Sequence, residues 1–255
     1  MKFRIVILFS LVLLSYKFNY AQDTSSVKSR FGIGFSVDPG FSYRTLYVDS
    51  ISSINTSYKK YRDFFENGKT GCLLNFSLFF DVSRNFRIQS GLQISEKGYN
   101  RKNQIWHDQS GIVDEGFADV FYQMRFIGLA LEGVYIINLT NFRLRFTAGG
   151  SFDYLFQNRL KAKIEYTPPS NTQPIMEFYE REAEPFWFNY PVWSLDSNKF
   201  NPSVNGSVAI EVDINEKASL FIGPKFNYAF TTIFEYPFRE RLYQIGGTVG
   251  FSIKL

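Results

Sequence analysis

The chain ends in Leu242-Tyr-Gln-Ile-Gly-Gly-Thr-Val-Gly-Phe-Ser-Ile-Lys-Leu255, and two faces separate along it. Tyr243, Ile245, Gly247, Val249, Phe251, Ile253 and Leu255 make one; Gln244, Gly246, Thr248, Gly250, Ser252 and Lys254 make the other. Side chains of a strand alternate between its two sides, so this period of two reads as a strand between unlike surroundings. The pattern recurs upstream in seven places. Apolar residues lead at Phe31–Val37, Cys72–Phe80, Phe86–Ile94, Ile127–Ile137, Phe142–Tyr154, Val204–Ile214 and Leu220–Tyr228. Leu73 and Phe79 break the alternation of the second strand, and Pro39 bends the first or ends its regular part.

The connections alternate as strictly as the side chains. Those at 83–85, 138–141 and 215–217 are tight, whereas those at about 48–69, 99–119, 157–199 and 231–240 are long. Short turns at one end and long loops at the other define an up-and-down barrel of the outer-membrane type, with short periplasmic turns. A soluble sandwich has no reason to sort its loops by length. A soluble eight-stranded barrel of the lipocalin kind is also up-and-down, and it would place the same two faces the other way round. The small polar face argues for the membrane arrangement. It is rich in Gly, Ser, Ala, Thr and Asn, which suit the crowded interior of eight strands. The expected fold is all-β: an eight-stranded antiparallel up-and-down transmembrane β-barrel over 22–255, with both termini periplasmic.

The N-terminus, Met-Lys-Phe-Arg followed by the apolar run Ile5–Leu14, is too short to span a bilayer, which takes roughly twenty residues. It reads as a cleaved signal peptide, 1–21, with cleavage after Ala21. Removing it takes away Lys2, Arg4 and Lys17 and leaves 25 bases against 24 acids. That balance is not the footprint of a nucleic-acid binder. One Cys and one His exclude an internal disulfide framework and argue against structural zinc, and no cofactor is expected.

Several segments carry a family resemblance. Asn85-Phe-Arg-Ile-Gln-Ser-Gly-Leu-Gln-Ile-Ser-Glu-Lys-Gly-Tyr99 resembles the third-strand signature of the PorT-like outer-membrane β-barrel family of Bacteroidota. Phe126–Tyr135, Phe146–Leu155 and Gly246–Leu255 are similar to later strands of that family, although the usual Pro of the fourth strand is absent and the chain closes on Leu rather than an aromatic. The resemblance implies fold and location. Some members of the family serve the type IX secretion machinery.

Five charged residues are expected to meet inside the barrel. Arg143 and Arg145 rise from one tight turn, Glu211 and Asp213 descend towards it on the next strand, and Glu132 stands on the other side. Buried charges must be paired, so the grouping reads as an ion-pair network that closes the lumen. The third long loop carries Phe186-Trp187-Phe188-Asn189-Tyr190-Pro191-Val192-Trp193. Its Phe186, Trp187, Phe188, Tyr190 and Trp193 form an outer contact surface for protein or glycan, or else cap the barrel. Arg159–Tyr166 still alternates, which predicts that the fifth and sixth strands project as a hairpin. Lys59, Lys60, Arg62, Arg101, Lys102 and Arg125 lie near the outer rim, where they could meet lipopolysaccharide phosphates. His107 near Ser110 is the minimum for nucleophilic catalysis and no more. Asp49-Ser50-Ile51 resembles a short O-glycosylation signal. The main reading is a non-enzymatic monomer embedded in outer-membrane lipid and lipopolysaccharide, binding through its loops. An accessory role in secretion, a lipid A-modifying enzyme and a small pore follow in that order.

Overall fold

A computed structural model describes residues 30–47, 59–60, 62–106, 116–166, 175–182, 198–233 and 239–255. They form nine strands: β1 Phe31–Tyr47, β2 Glu66–Asp81, β3 Phe86–Trp106, β4 Gly116–Asn138, β5 Arg143–Tyr166, β6 Ile175–Glu182, β7 Phe200–Asp213, β8 Ala218–Ala229 and β9 Arg239–Lys254. Eight of them close into an antiparallel ring in the order β4-β3-β2-β1-β9-β8-β7-β5, with β4 and β5 paired. The first and last strands seal it, with Phe35 opposite Phe251 and Tyr43 opposite Tyr243. A closed ring has no unpaired edge, which is what lets strands stand where water cannot satisfy the backbone.

The small polar face points inwards. Ser36, Asp38, Ser42, Asn75, Ser77, Gln93, Ser203, Thr248 and Ser252 are buried, while Leu78, Leu129 and Leu131 on the opposite face are 61–63% exposed. This orientation separates the two eight-stranded alternatives, since a soluble barrel would bury its leucines. No helix among the described residues is long and apolar enough to cross a membrane. Leu73 and Phe79 face the lumen with the polar set and are buried there. Phe79 lies directly across from Gly32, where an added Cβ would come within 2.2 Å of the Phe79 ring.

At the loop end the wall is uneven, and two expectations need correction. Strands β3 and β4 continue to Trp106 and from Gly116, inside the stretch read as a long loop. The projecting hairpin forms, but its second strand is β6 rather than the sixth strand of the barrel. Barrel pairing of β7 with β5 stops at Tyr154–Phe200, and above it β5 pairs with β6, setting Lys161 opposite Glu180 and Arg159 opposite Glu182. The acidic residues Glu177, Glu180 and Glu182 are therefore in a strand rather than an irregular loop.

A one-residue irregularity makes this possible. Arg125 pairs with Gln157 and Phe126 with Leu155, so Phe156 is left over. Each extra residue in a strand exchanges inside for outside. Below it Thr147, Ser151, Asp153 and Leu155 face in; above it the buried set becomes Leu160, Ala162 and Ile164, packed with Ala118 and Val120.

The lipid-facing assignment has a direct consequence. Leu129→Arg should lower the stability of the folded barrel by about 2–4 kcal/mol, read from denaturant titration in lipid vesicles. A neutral or favourable effect would mean that Leu129 faces water.

Candidate functional site

Among the described residues the lumen holds three tiers of charged side chains. At the tight-turn end the register sets Arg143 opposite Glu211 on neighbouring β5 and β7. Arg143 Nη2 meets Glu211 Oε1 at 2.7 Å and also pairs with Asp213. Arg145 Nη1 approaches Glu211 Oε2 at 3.4 Å, and its Nη2 donates to Gln89 Oε1 at 2.7 Å. Gln89 in turn donates to Glu132. The five residues singled out from the sequence therefore stand together, with two refinements: Glu132 is joined to Arg145 through Gln89, and Asp213 sits at the rim with its side chain 57% exposed. Beside them Asp81 accepts Arg87 at 2.7 Å and Lys254 at 3.3 Å.

Two aromatic rings fill what the charges leave. The Arg87 guanidinium lies 3.6 Å from the Phe79 ring centre and that of Arg145 4.2 Å from Phe221. Across from Phe221 stands Gly250, where a Cβ would come within 2.4 Å of the ring. Cation–π contact favours a guanidinium over an aromatic face where water is excluded.

The middle tier pairs Lys225 Nζ with Asp38 Oδ2 at 2.6 Å and Lys97 Nζ with Asp153 Oδ2 at 3.5 Å. Thr248 donates to Asp38, Lys97 donates to Asn227 Oδ1 at 2.7 Å, and Gln93 donates to Asp153. Between this tier and the first lies a polar cavity of about 20 Å³, lined by Gln89, Glu132, Arg145, Lys225 and Thr248 among others. That is room for about one water, not for a solute path.

The third tier, at the loop end, is one that sequence reasoning missed. Glu66, on the first residue of β2, accepts from Arg44, from Arg62 Nε at 2.6 Å and from Arg101 Nε at 2.9 Å. Arg62 comes from helical turns at 62–65 in the first long connection, and its Nη1 also reaches Glu240 Oε1 at 2.5 Å. Its Nη2 donates to Tyr99 Oη at 3.2 Å, and Tyr99 donates to Glu240 Oε2 at 3.0 Å. Burial opposes the charge of Arg62, but Glu240, Tyr99 and Glu66 outweigh it and hold the guanidinium well above its ordinary pKa. Arg62 and Arg101 were expected at the rim for lipid phosphates. They are instead buried against carboxylates, because three cations gather round one Glu where the two connections meet. Below this group a dry layer of Met124, Phe126, Leu155, Leu242 and Ile233 crosses the mouth. Ile233 is brought in from the last long connection, its N–H bonded to Glu240 O at 2.7 Å.

A signal existed for part of this tier. Arg44 is in phase with Ser36, Asp38 and Ser42, which marks it as inward. Glu66 and Glu240 carried no such mark, since both were read as loop. The remaining candidates, His107 with Ser110, Asp49-Ser50-Ile51, the aromatic run 186–193 and the leader 1–21, lie outside the described residues. Lys60 and Lys102 are exposed, and Arg125 faces outwards, paired with Glu96 Oε2 at 3.1 Å. Among the described residues no group of three or more His, Cys, Asp and Glu is placed to hold a metal.

A closed, polar-cored, apolar-skinned ring of eight strands defines an outer-membrane barrel, and comparison with known proteins gives its family. Residues 20–235 match the family described as outer membrane protein beta-barrel domain, and the chain belongs to it. No curated protein sequence matches the chain. Solved structures similar to it include Neisserial surface protein A, at 9% identity and TM-score 0.42, covering 90% of this chain and 100% of that one. The outer membrane protease OmpT from Escherichia coli gives 11% identity and TM-score 0.38, covering 91% and 99%. Ail, the attachment invasion locus protein of Yersinia pestis, gives 10% and 0.32, covering 86% and 98%.

The first tier makes a measurable claim. Glu211→Ala should cost about 3–5 kcal/mol of barrel stability, because it strands the buried Arg145, and Arg145→Ala should cost less, because Arg143 still meets Glu211. The double replacement should cost less than the sum of the two, and strictly additive losses in denaturant titrations would show that the pair does not interact.

Proposed function

We propose that this protein is a non-enzymatic outer-membrane barrel with a sealed lumen, which stands in the membrane to present its loop end to a partner. The observation that carries the reading is the packing of the lumen by the described residues. Among the described residues three ionic tiers and an apolar layer fill it, and the cavity between the first two tiers is about 20 Å³. A structure that spends its interior on paired charges is built to be rigid. In this reading the tight turns and both termini are periplasmic, and the long connections and the β5–β6 hairpin are outside. Outer-membrane lipid and lipopolysaccharide surround the belt, and a protein or glycan is met by the loops, the aromatic run 186–193 included.

A second reading, an accessory subunit of a secretion or export complex, is favoured by the hairpin itself. Phe117, Met176 and Phe178 are 61%, 55% and 75% exposed on a sheet that continues beyond the barrel pairing of β5 with β7. Exposed apolar side chains gathered on one sheet mark contact surfaces.

Two measurements test the main reading. The purified protein in planar bilayers should show no steady conductance, and a large constant one would replace the sealed barrel by a pore. Protease added to intact cells should cut within 167–199 and spare the 138–141 turn. Cleavage at that turn would invert the orientation.

A further inference from the structure

On the outer skin of the barrel, the apolar ladder of β9 runs Ile253, Phe251, Val249, Ile245 and then Tyr243. The next outward residue is Arg241, followed by Arg239. Neighbouring strands change character at the same height. Tyr43 of β1 and Tyr228 of β8 flank Tyr243, and Thr45 and Tyr47 stand opposite Arg241 and Arg239. Tyrosines above an aliphatic band mark the level of lipid headgroups.

The cations at this level are treated in two ways. On one side of the barrel Lys69 and Arg125 share Glu96, at 2.7 and 3.1 Å, and Arg125 also donates to Gln157 at 3.0 Å. Arg241 has no carboxylate partner among the described residues, and its Nε is buried without a hydrogen-bond acceptor there. Its guanidinium is instead held over the Tyr47 ring, 5.0 Å from the centroid, and the Tyr47 hydroxyl lies 3.4 Å from that of Tyr228. The guanidinium also hydrogen-bonds the Tyr228 hydroxyl, so with Nε turned inwards its remaining Nη hydrogens are what it can offer an anion. On a lipid-facing wall, a cation without a protein counter-charge is balanced most readily by a headgroup.

We propose that Arg241, seated on Tyr47 and framed by Tyr228 and Tyr243, binds a phosphate-bearing lipid headgroup of the surrounding leaflet. The tyrosines pack on the sugar or glycerol part, and the guanidinium takes the phosphate oxygens. The site rests on the reading of the protein as a membrane-embedded barrel, and deepens it by naming one lipid position on the wall.

The test uses the full-length protein in nanodiscs of phosphatidylcholine doped with lipid A or with dephosphorylated lipid A, with bound lipid counted by native mass spectrometry. The unaltered protein should retain the phosphorylated lipid and not the dephosphorylated one. Arg241→Ala should weaken retention about tenfold, the loss of a charged hydrogen bond. Arg241→Lys should fall between, because it keeps the charge without the fork. Arg125→Ala, whose charge is already met by Glu96, should retain lipid as the unaltered protein does. Arg241→Gln replaces Arg241→Ala if that variant does not fold. Equal retention by Arg241→Ala, equal retention of the dephosphorylated lipid, or release of the lipid by millimolar inorganic phosphate would overturn the proposal. Folding is read separately from the mobility shift on boiling. A protein that never enters the nanodisc fails the membrane reading, whereas an inserted barrel indifferent to phosphate fails only this one.

Discussion

Eight strands enclose an interior that side chains alone can fill, and here much of that filling is charged. The whole structure depends on matching those charges inside a narrow tube. Glu211 answers Arg143 and Arg145, Asp38 answers Lys225, Asp153 answers Lys97, and Glu66 answers three arginines. Each match depends on register. A slip of one residue on β7 would turn Glu211 out into the lipid and leave two guanidiniums stranded. The ionic tiers therefore specify which strand lies beside which, as well as helping to hold them.

The packing at the loop end couples parts of the chain that are far apart in sequence. Arg62 and Ile233 come from the first and last long connections, and Glu240 touches both through its side chain and its carbonyl. Tyr99, on β3, stacks on Tyr122 of β4 at 4.6 Å and joins the same group. The connections are thus not merely attached to the barrel. Their inner residues complete its core, so the long connections are mechanically close to the uppermost tier.

Most of the ring was legible from alternation alone, because a strand between lipid and a polar interior must sort its side chains by parity. Val204–Ile214 and Leu242–Leu255 show this most cleanly. The first ionic tier was legible for a related reason: its members sit on adjacent strands close to a tight turn, where register has little room to vary. The third tier was not, since its centre is at a strand end and Arg62 arrives from a connection whose path local pattern does not encode. Phe156 hid the rest. One unpaired residue reverses parity, so the upper half of β5 reads as a continuation of the lower half while facing the other way.

The two cross-strand pairs of glycine and phenylalanine, Gly32 with Phe79 and Gly250 with Phe221, have a bearing on how this wall can diverge. Each ring occupies the space that any side chain on the facing glycine would need, and each ring also supports an arginine. A larger residue at either glycine displaces its phenylalanine, and the guanidinium loses its platform. Three positions on three strands are thereby tied together. Change at one is tolerated only alongside change at the others, so relatives that lose the glycine should also have lost the ring and moved the cation.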